Sequence, residues 1–307
     1  MRFLAYSLSS LFLLLYLLYL HELSSGLASI LNVVDTNTQF IGHNAVDNAV
    51  VHNAVDPPPC ALFFYGLAKR VDLTLPSTFS KIINKNPECT VIYQSQNVTH
   101  TSTPHALWDS ESGVINYDAL YVHESPTFKI ILTGGDTGES KSFPSLPFLL
   151  SKCCAPGYTD TSMSNLHKSW ESLETLLPFI DNYETVGIFR NDVIFIDEVD
   201  IFSSDFAIPK WGSFKGFNDR MFYGTKENAL KWAGRFDRLR EFDGPILKGE
   251  TYLKWLLRDD SSRIDFVDTC FLRVRVDGRV KENDCRATNK PFDPHGPRVT
   301  NDEHVII

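Results

Sequence analysis

The stretch Tyr183–Asp192, YETVGIFRND, indicates both how this chain folds and where a site lies. Its apolar run Val186–Phe189 is typical of a buried strand, and the run ends abruptly on the polar triplet Arg190-Asn191-Asp192. In open α/β sheets, ligands bind outside the carboxyl ends of the strands. A buried strand that ends on an arginine and a carboxylate therefore predicts a binding site at that end.

Arg190 and Asp192 are two positions apart, so on a strand their side chains lie on one face. Arginine offers a planar donor fork to a phosphate or a carboxylate, and aspartate offers hard oxygen atoms to Mg²⁺ or Mn²⁺. Together the two residues suit a nucleoside diphosphate. The alternative is an ion pair that merely closes the strand end. The acids that follow, Asp197, Glu198 and Asp200, are typical of a solvated loop.

A second polar block, Gly216-Phe217-Asn218-Asp219-Arg220, precedes the apolar run Met221–Tyr223. In this block Asn218 and Asp219 can hydrogen-bond hydroxyl groups, and Arg220 can hold an anion or orient Asp219. A structural corner before a strand is the alternative.

Glu250 begins a predicted helix with Thr251. A carboxylate there can act as a general base toward a sugar hydroxyl. The alternative is an acid that the helix dipole stabilises in the first turn.

The size and charge of the chain limit its function. With 307 residues, 43% of them hydrophobic, it can bury the core of one large domain or two small ones. The formal net charge of −9 argues against a nucleic-acid partner, because no basic surplus is present to displace counterions from phosphates. An acidic protein that handles an anionic ligand must use local arginines or a metal ion.

Residues 1–20 are predicted to form a signal anchor. The segment Phe3–Leu20 is almost wholly apolar and nears the length of roughly 20 residues that a bilayer span needs. Arg2 places the N-terminus in the cytosol, which gives a single-pass type II protein of the Golgi or ER membrane. The small residues Ser25–Ser29 leave a cleaved signal peptide and a secreted protein as the alternative.

Residues 21–59 are predicted to be a disordered stem and residues 60–307 a luminal domain. The stem carries the repeat His43–Asp47 and His52–Asp56 and ends on three prolines. The sequon at Asn97 and the even number of cysteines, six, agree with an oxidising compartment. Cys60 and Cys89 flank the first strand-helix-strand unit, whereas Cys270 and Cys285 are close enough to staple a hairpin. Buried free thiols are the alternative.

Alternating strand and helix patterns predict an α/β fold with a mostly parallel sheet. The strands are expected at 61–66, 89–93, 128–132, 186–189, 207–211, 221–223 and 266–276, the last with a hairpin turn at Asp277-Gly278. The helices are expected at 76–83, 163–180, 227–239 and 251–257, and residues 97–117 are expected to be a loop.

The order of these elements resembles the GT-A-type glycosyltransferase-like proteins, including the WavE-type lipopolysaccharide-synthesis proteins and an uncharacterised plant and algal group. The resemblance spans roughly Cys60 to Leu257. The residues that carry it are Tyr65-Gly66-Leu67 with Arg70, Tyr183, Arg190-x-Asp192, Pro209, Trp211, Gly216–Arg220, Tyr223-Gly224 and Glu250-Thr251.

The resemblance implies a GT-A-like, Rossmann-type sheet flanked by helices, and a glycosyltransferase with a nucleotide-sugar donor and a glycan or glycoprotein acceptor. It implies that Asp192 holds Mn²⁺ or Mg²⁺ with the donor diphosphate, and that His295 is a further metal ligand. The nucleotide-sugar would be bound by Tyr65, Gly66, Arg70, Arg190, Asn191, Asn218 and Arg220.

The resemblance also implies that Asp219 or Glu250 is the catalytic carboxylate. This chain has Arg190-Asn191-Asp192 where many relatives have two acids, and Arg190 could itself neutralise phosphate charge. The alternative function is a luminal module on a degenerate scaffold that binds a glycan or a nucleotide without turnover.

Overall fold

The computed structural model describes residues 59–106, 109–134, 160–244 and 247–281, together with Phe148, Ser151 and Asp284. The predicted anchor, all but the last residue of the predicted stem, and His295 lie outside the described residues. Within the described part of the chain, no helix is long and apolar enough to cross a membrane.

The described secondary structure alternates between strands and helices. The strands are β1 (Cys60–Tyr65), β2 (Thr90–Gln96), β3 (His100–Ala106), β4 (Asp109–Val114), β5 (Phe128–Thr133), β6 (Thr185–Arg190), β7 (Val193–Phe195), β8 (Phe206–Pro209), β9 (Met221–Thr225), β10 (Asp265–Val267) and β11 (Phe271–Arg273). The α-helices are α1 (Val71–Lys81), α2 (Asp118–Tyr121), α3 (Asp160–Glu174), α4 (Leu177–Ile180), α5 (Lys226–Ala233) and α6 (Gly249–Leu256). Short 3-10 helices cover Ile83–Lys85, Leu239–Glu241 and Arg258–Arg263.

A seven-stranded sheet in the order β10-β8-β9-β6-β1-β2-β5 forms the centre of the fold. β1 pairs in parallel with β2 and β6, β2 with β5, and β10 with β8. Only β9 in this sheet runs the other way, because it pairs antiparallel with both β6 and β8. The predicted α/β fold with a mostly parallel, Rossmann-type sheet flanked by helices is confirmed.

The strand order reverses between β1 and β6. The chain adds β2 and β5 on one side of β1 and then returns to add β6 on the other side. In chain order, β5-β2-β1-β6 are the third, second, first and fourth strands of this sheet, which is how a dinucleotide-binding sheet begins. Such a switch point opens a crevice at the carboxyl ends of the two strands.

The central sheet is covered on both faces, as the alternation along β1 shows. Leu62 and Phe64 belong to one buried cluster, and Ala61 and Phe63 belong to the other. α1 packs on the first cluster, and α3, α5 and α6 pack on the second through Trp170, Trp232 and Tyr252. Because apolar side chains cover both faces, the place for a polar ligand is at the edge of the sheet.

The helix boundaries differ from the predicted ones. α1 begins at Val71 rather than at Pro76, which lies inside it. Pro76 has no N–H to donate to the carbonyl of Asp72, and the exposed position of Asp72 lets water replace that bond. The helix predicted for 163–180 is two helices, α3 and α4, and Pro178 lies at the start of the second. α5 ends at Ala233 because Gly234 caps it.

Two other strand predictions were wrong. Residues 97–117 were expected to be a loop, but β3 and β4 form an antiparallel hairpin there. The sequences of both strands are rich in polar residues and lack the apolar alternation that predicts a strand. The single strand expected at 266–276 is two strands: β10 joins the central sheet, while β11 pairs with β7. The predicted turn is present, and Gly278 has a φ of 87° there.

A disulfide bond joins Cys60 at the start of β1 to Cys89 just before β2. Cys270 is also disulfide-bonded, to a cysteine outside the described residues, and no described cysteine is a free thiol. The expectation of disulfides is therefore confirmed for these three cysteines, and the alternative of buried free thiols is wrong for them.

We predict that replacing both Cys60 and Cys89 by alanine lowers the free energy of unfolding by about 3–4 kcal/mol, the loop-closure entropy for this sequence separation. The two cysteines are 29 residues apart and both are almost fully buried. Urea denaturation checks the value. Reduction of the wild type should produce at least this loss, because it also breaks the disulfide of Cys270. An unchanged midpoint in the double variant would contradict the prediction.

Candidate functional site

The two predicted polar blocks lie side by side at the carboxyl edge of β1 and β6. The backbone N–H of Arg190 donates to the carbonyl of Arg220 at 3.1 Å. The hydroxyl of Tyr65, at the end of β1, donates to the carbonyl of Asp219 at 2.8 Å. The antiparallel direction of β9 explains this contact, because the strand begins at the edge where β6 ends.

Arg190 and Asp192 form a bidentate ion pair, with N–O distances of 2.7 Å from Nε and 2.5 Å from Nη2. Asp192 is only 2% exposed, whereas the side chain of Arg190 is 28% exposed. Burial alone would raise the pKa of Asp192, but the positive charges of Arg190 and Lys69 lower it well below its usual range. The carboxylate therefore stays ionised although it is buried.

Lys69 is the second cation on Asp192, and the sequence analysis missed it. Its ammonium nitrogen lies 3.2 Å from Asp192 Oδ2 and 2.8 Å from Glu111 Oε1 on β4. Lys69 lies in the loop between β1 and α1, next to Arg70, which was the predicted residue. Its position just after the first strand was the one signal available, whereas Glu111 fell in a stretch expected to be a loop.

Asn191 ties three strand ends together. Its side-chain amide donates to the carbonyl of Gly66 at 3.1 Å and to that of Gln94 at 2.9 Å. Gly66 has a φ of 105°, a conformation that favours glycine, and its N–H donates to the side chain of Gln94. Asn191 is 2% exposed, so its contacts position the loop after β1.

Asn218 and Arg220 form a buried corner. The Asn218 amide donates to the carbonyl of Trp211 at 2.7 Å, and its Oδ1 accepts the N–H of Arg220 at 2.9 Å. The Arg220 guanidinium donates to the carbonyl of Gly212 at 3.2 Å and to Glu250 Oε1 at 2.9 Å. These contacts fix Arg220 between the loop after β8, which contains Trp211 and Gly212, and the start of α6.

Glu250 contacts the loop through its backbone as well. The N–H of Phe217 donates to the Glu250 carbonyl at 2.9 Å, and a Cβ on Gly216 would lie 1.9 Å from that same oxygen. Glycine at 216 therefore permits this close approach. Burial and the nearby Asp219 raise the pKa of Glu250, and Arg220 offsets part of that rise.

Asp219 is the predicted site residue whose carboxylate has no partner among the described residues. Its backbone carbonyl accepts the Tyr65 hydroxyl, but no described residue donates a hydrogen bond to its side chain or forms an ion pair with it. The residue is partly exposed, and a Cβ on Gly249 would lie 2.2 Å from its Oδ2. The carboxylate thus lies against the first residue of α6, beside Glu250.

Arg235 is a second charged group that the sequence analysis missed. It is 1% exposed, stacks on Trp232 at 4.4 Å, and donates from Nε to the Trp232 carbonyl at 2.6 Å. Neither its Nη1 nor its Nη2 has a hydrogen-bond partner among the described residues. Burial lowers its pKa, while the charge of Asp219 acts in the opposite direction. In the sequence, Arg235 falls inside the helix expected at 227–239, where an arginine is common, so nothing singled it out.

Arg70 is not at this centre. Its guanidinium binds the exposed Asp72, with N–O distances of 2.8 and 2.5 Å, and lies against Gly278. Arg273 forms a bidentate pair with Asp284 at 2.7 and 2.6 Å. Burial lowers the pKa of Arg273, but Asp284 raises it by more, and the charges of Arg190 and Asp192 make smaller contributions.

Comparisons with known proteins leave the family open. No family model matches the sequence, and no curated protein matches it. Among solved structures, the fold is similar to that of the glycosyltransferase GlyE of Streptococcus pneumoniae TIGR4, with a TM-score of 0.34 and 11% identity over 68% of this chain. This chain covers 45% of that structure. A likeness this distant concerns the fold alone, so the functional conclusion depends on the chemistry of the site.

We predict that Asp192→Ala lowers the free energy of unfolding by about 3–5 kcal/mol, because it leaves the buried Lys69 with Glu111 as its one remaining described anion and removes the anion that Arg190 pairs with. The chain offers a matched control in the exposed pair Arg70–Asp72, which has the same spacing and the same bidentate geometry. Asp72→Ala should cost less than about 1 kcal/mol. Equal losses for the two variants in urea denaturation would contradict the prediction.

The same pair predicts a pH dependence. Because the pKa of Asp192 is lower in the folded state, its contribution to stability is fully present above about pH 4 and decreases as the pH falls below that value. The difference in unfolding free energy between wild type and Asp192→Asn should therefore shrink in acid.

The stability contribution of Glu250 depends on pH in the opposite direction, because its raised pKa makes its ionisation costly above about pH 4. Glu250→Gln should gain stability relative to wild type as the pH rises. Parallel curves for all three proteins would contradict both assignments.

Proposed function

We propose that this domain is a glycosyltransferase that moves a sugar from a nucleotide-sugar donor to a hydroxyl group of a glycan or glycoprotein. The observation that carries the proposal is the convergence of Arg190, Arg220 and Asp219 at the switch point of the sheet. An anion-binding group and a free carboxylate at one crevice are what transfer from a diphosphate to a hydroxyl requires.

In this proposal Arg190 binds the donor diphosphate. Its side chain is partly exposed while Asp192 holds its Nε and Nη2. A guanidinium fixed in this way offers its remaining N–H groups to a phosphate without losing further conformational freedom. The charge also stabilises the nucleoside diphosphate that leaves when the bond from the sugar to its phosphate breaks.

Asp219 is proposed as the general base. As the acceptor hydroxyl attacks the anomeric carbon, its proton passes to the Asp219 carboxylate, and the new glycosidic bond replaces the bond to phosphate. Glu250 is the weaker candidate, because it already pairs with Arg220 at 2.9 Å. We assign Glu250 the role of holding Arg220, beside the acceptor.

A divalent metal at Asp192 is the expectation from the resemblance, with Mn²⁺ or Mg²⁺ as the ion. Both Asp192 oxygens already accept hydrogen bonds from Arg190, and one also contacts Lys69. The carboxylate does not fit a metal ion unless Lys69 moves away, so no step of the proposed reaction passes through a metal.

The proposed location is the lumen of the Golgi or the ER, with the N-terminal segment as the membrane anchor. The Cys60–Cys89 disulfide supports an oxidising compartment, where such bonds persist. Secretion after cleavage of that segment is the alternative.

A module that binds nucleotides or glycans without turnover is the second candidate. The neutralisation of Asp192 by two cations favours it, because a degenerate transferase would lose its metal site in this way. Binding of a nucleoside diphosphate, with no nucleotide released from any donor, would support this candidate over the enzyme.

We predict that Asp219→Asn lowers nucleotide release from the preferred donor by about 10²–10⁴-fold, the usual contribution of a general base. The affinity for the nucleoside diphosphate should stay unchanged, because the diphosphate is proposed to bind Arg190. A screen of nucleotide-sugar donors for nucleotide release identifies the donor, and calorimetry measures the affinity.

Asp181→Asn is the matched control, because Asp181 is exposed in the turn before β6, at the opposite edge of the sheet. It should behave as wild type. Full activity of Asp219→Asn would refute the assigned base, and the absence of any nucleotide binding to the wild type would refute the proposed function.

A further inference from the structure

We infer that the ammonium group of Lys69 is the resident cation of this site and that the site binds its anionic ligand without a divalent metal. The identity of the ligand as a nucleoside diphosphate rests on the proposed function. The assignment of the cation rests on the geometry around Asp192.

Two carboxylates converge on the Lys69 nitrogen from separate parts of the chain. Glu111 Oε1 on β4 lies 2.8 Å away, and Asp192 Oδ2, just after β6, lies 3.2 Å away. Lys69 is 5% exposed, Glu111 is 4% exposed and Asp192 is 2% exposed. Convergent, buried carboxylate oxygens are the ligands that a hard cation prefers, and here they surround an ammonium group.

All four oxygens of these carboxylates already have donors. Arg190 Nε binds Asp192 Oδ1, and Arg190 Nη2 shares Oδ2 with Lys69. Lys69 binds Glu111 Oε1, and the N–H of Val276 donates to Glu111 Oε2 at 2.8 Å. A metal ion that bound both carboxylates would need the place between them, and the Lys69 nitrogen already occupies that place.

The charges of the cluster also balance. Lys69 and Arg190 carry two positive charges, and Asp192 and Glu111 carry two negative charges. Adding a dication would leave excess positive charge in a buried place, and expelling Lys69 would cost its ion pairs. Either change is unfavourable, because a buried charge without a partner destabilises the folded state.

Among the described residues, no group of three candidate metal ligands lies near this cluster. Their one set of three candidate ligands is Cys60, Glu88 and Cys89, and its two sulfur atoms are joined in the disulfide. That set lies at the amino end of β1 and β2, whereas Asp192 follows the carboxyl end of β6.

Lys69 therefore acts on the ligand through its neighbours. Lys69 and Glu111 fix Asp192, and Asp192 fixes Arg190. The side chain of Arg190 is 28% exposed, compared with 6% for that of Lys69, so the guanidinium is the cation that meets the ligand. Lys69 is a positioning residue in this arrangement.

Titration of the purified full-length protein with Mn²⁺, followed by electron paramagnetic resonance, tests the assignment without any substrate. Wild type and Asp192→Asn should bind the same number of Mn²⁺ ions. Lys69→Ala should gain one site, with a dissociation constant of about 10⁻⁴–10⁻³ M, because it uncovers two carboxylates. The double variant Lys69→Ala/Glu111→Gln should lose that new site.

Calorimetric titration with UDP, GDP and CMP, in Mn²⁺ and in EDTA, is the second measurement. The affinity of the wild type for the nucleotide it prefers should be the same in both buffers. Lys69→Ala should bind that nucleotide more weakly in EDTA and recover part of the affinity in Mn²⁺. A merely structural lysine would not produce this rescue by a metal.

The inference is overturned if wild type binds a Mn²⁺ ion that Asp192→Asn lacks, or if EDTA removes nucleotide binding. If Lys69→Ala does not fold, the comparison of wild type with Asp192→Asn still decides between the two outcomes. If no nucleotide binds in either buffer, the proposed function fails while the Mn²⁺ titration still decides the nature of the cation.

Discussion

The buried carboxylate of Asp192 is the constraint on which this edge of the fold depends. A carboxylate that is 2% exposed must be paired, or it would lose its charge or destabilise the fold. The chain pairs it with Arg190 from β6 and with Lys69 from the loop after β1. Because Lys69 also needs Glu111, the hairpin of β3 and β4 is joined to the same point.

The packing of the central sheet explains why polar residues lie at the switch point. Both faces of the central sheet are packed with apolar side chains, so polar groups collect where the strands end. Asn191 links the ends of β1, β2 and β6 by side-chain bonds to the backbone, and Tyr65 links β1 to the loop before β9. The strand ends at the switch point are therefore held by hydrogen bonds, which is how a site keeps its groups in place for a ligand.

The sequence correctly predicted those features of the fold whose signal lies in a few consecutive residues. The apolar runs at β1, β2, β5 and β6 predicted the parallel core of the sheet, and the abrupt end at Arg190 predicted the edge at which polar residues collect. Lys69 and Glu111 were beyond reach because their roles depend on contacts across the fold. Glu111 lies 42 positions after Lys69, on a polar hairpin that lacks the alternation of a half-buried strand. The broken helix before β6 was missed because the apolar spacing continues across Pro178.

Arg235 and Asp219 show where stability has been given up. The other charged side chains discussed at this edge form ion pairs with one another; they are Lys69, Arg190, Arg220, Arg273, Asp192, Glu111, Glu250 and Asp284. By contrast, no described residue forms a hydrogen bond with the buried Nη atoms of Arg235, and none pairs with the Asp219 carboxylate. A fold selected for stability alone would replace such an arginine by an apolar side chain, since burying an unpaired cation is costly. The charges of Arg235 and Asp219 interact with each other, although no hydrogen bond joins the two side chains. Because a buried charge without a partner destabilises a fold, an edge that keeps two such groups among its described residues is a candidate binding site.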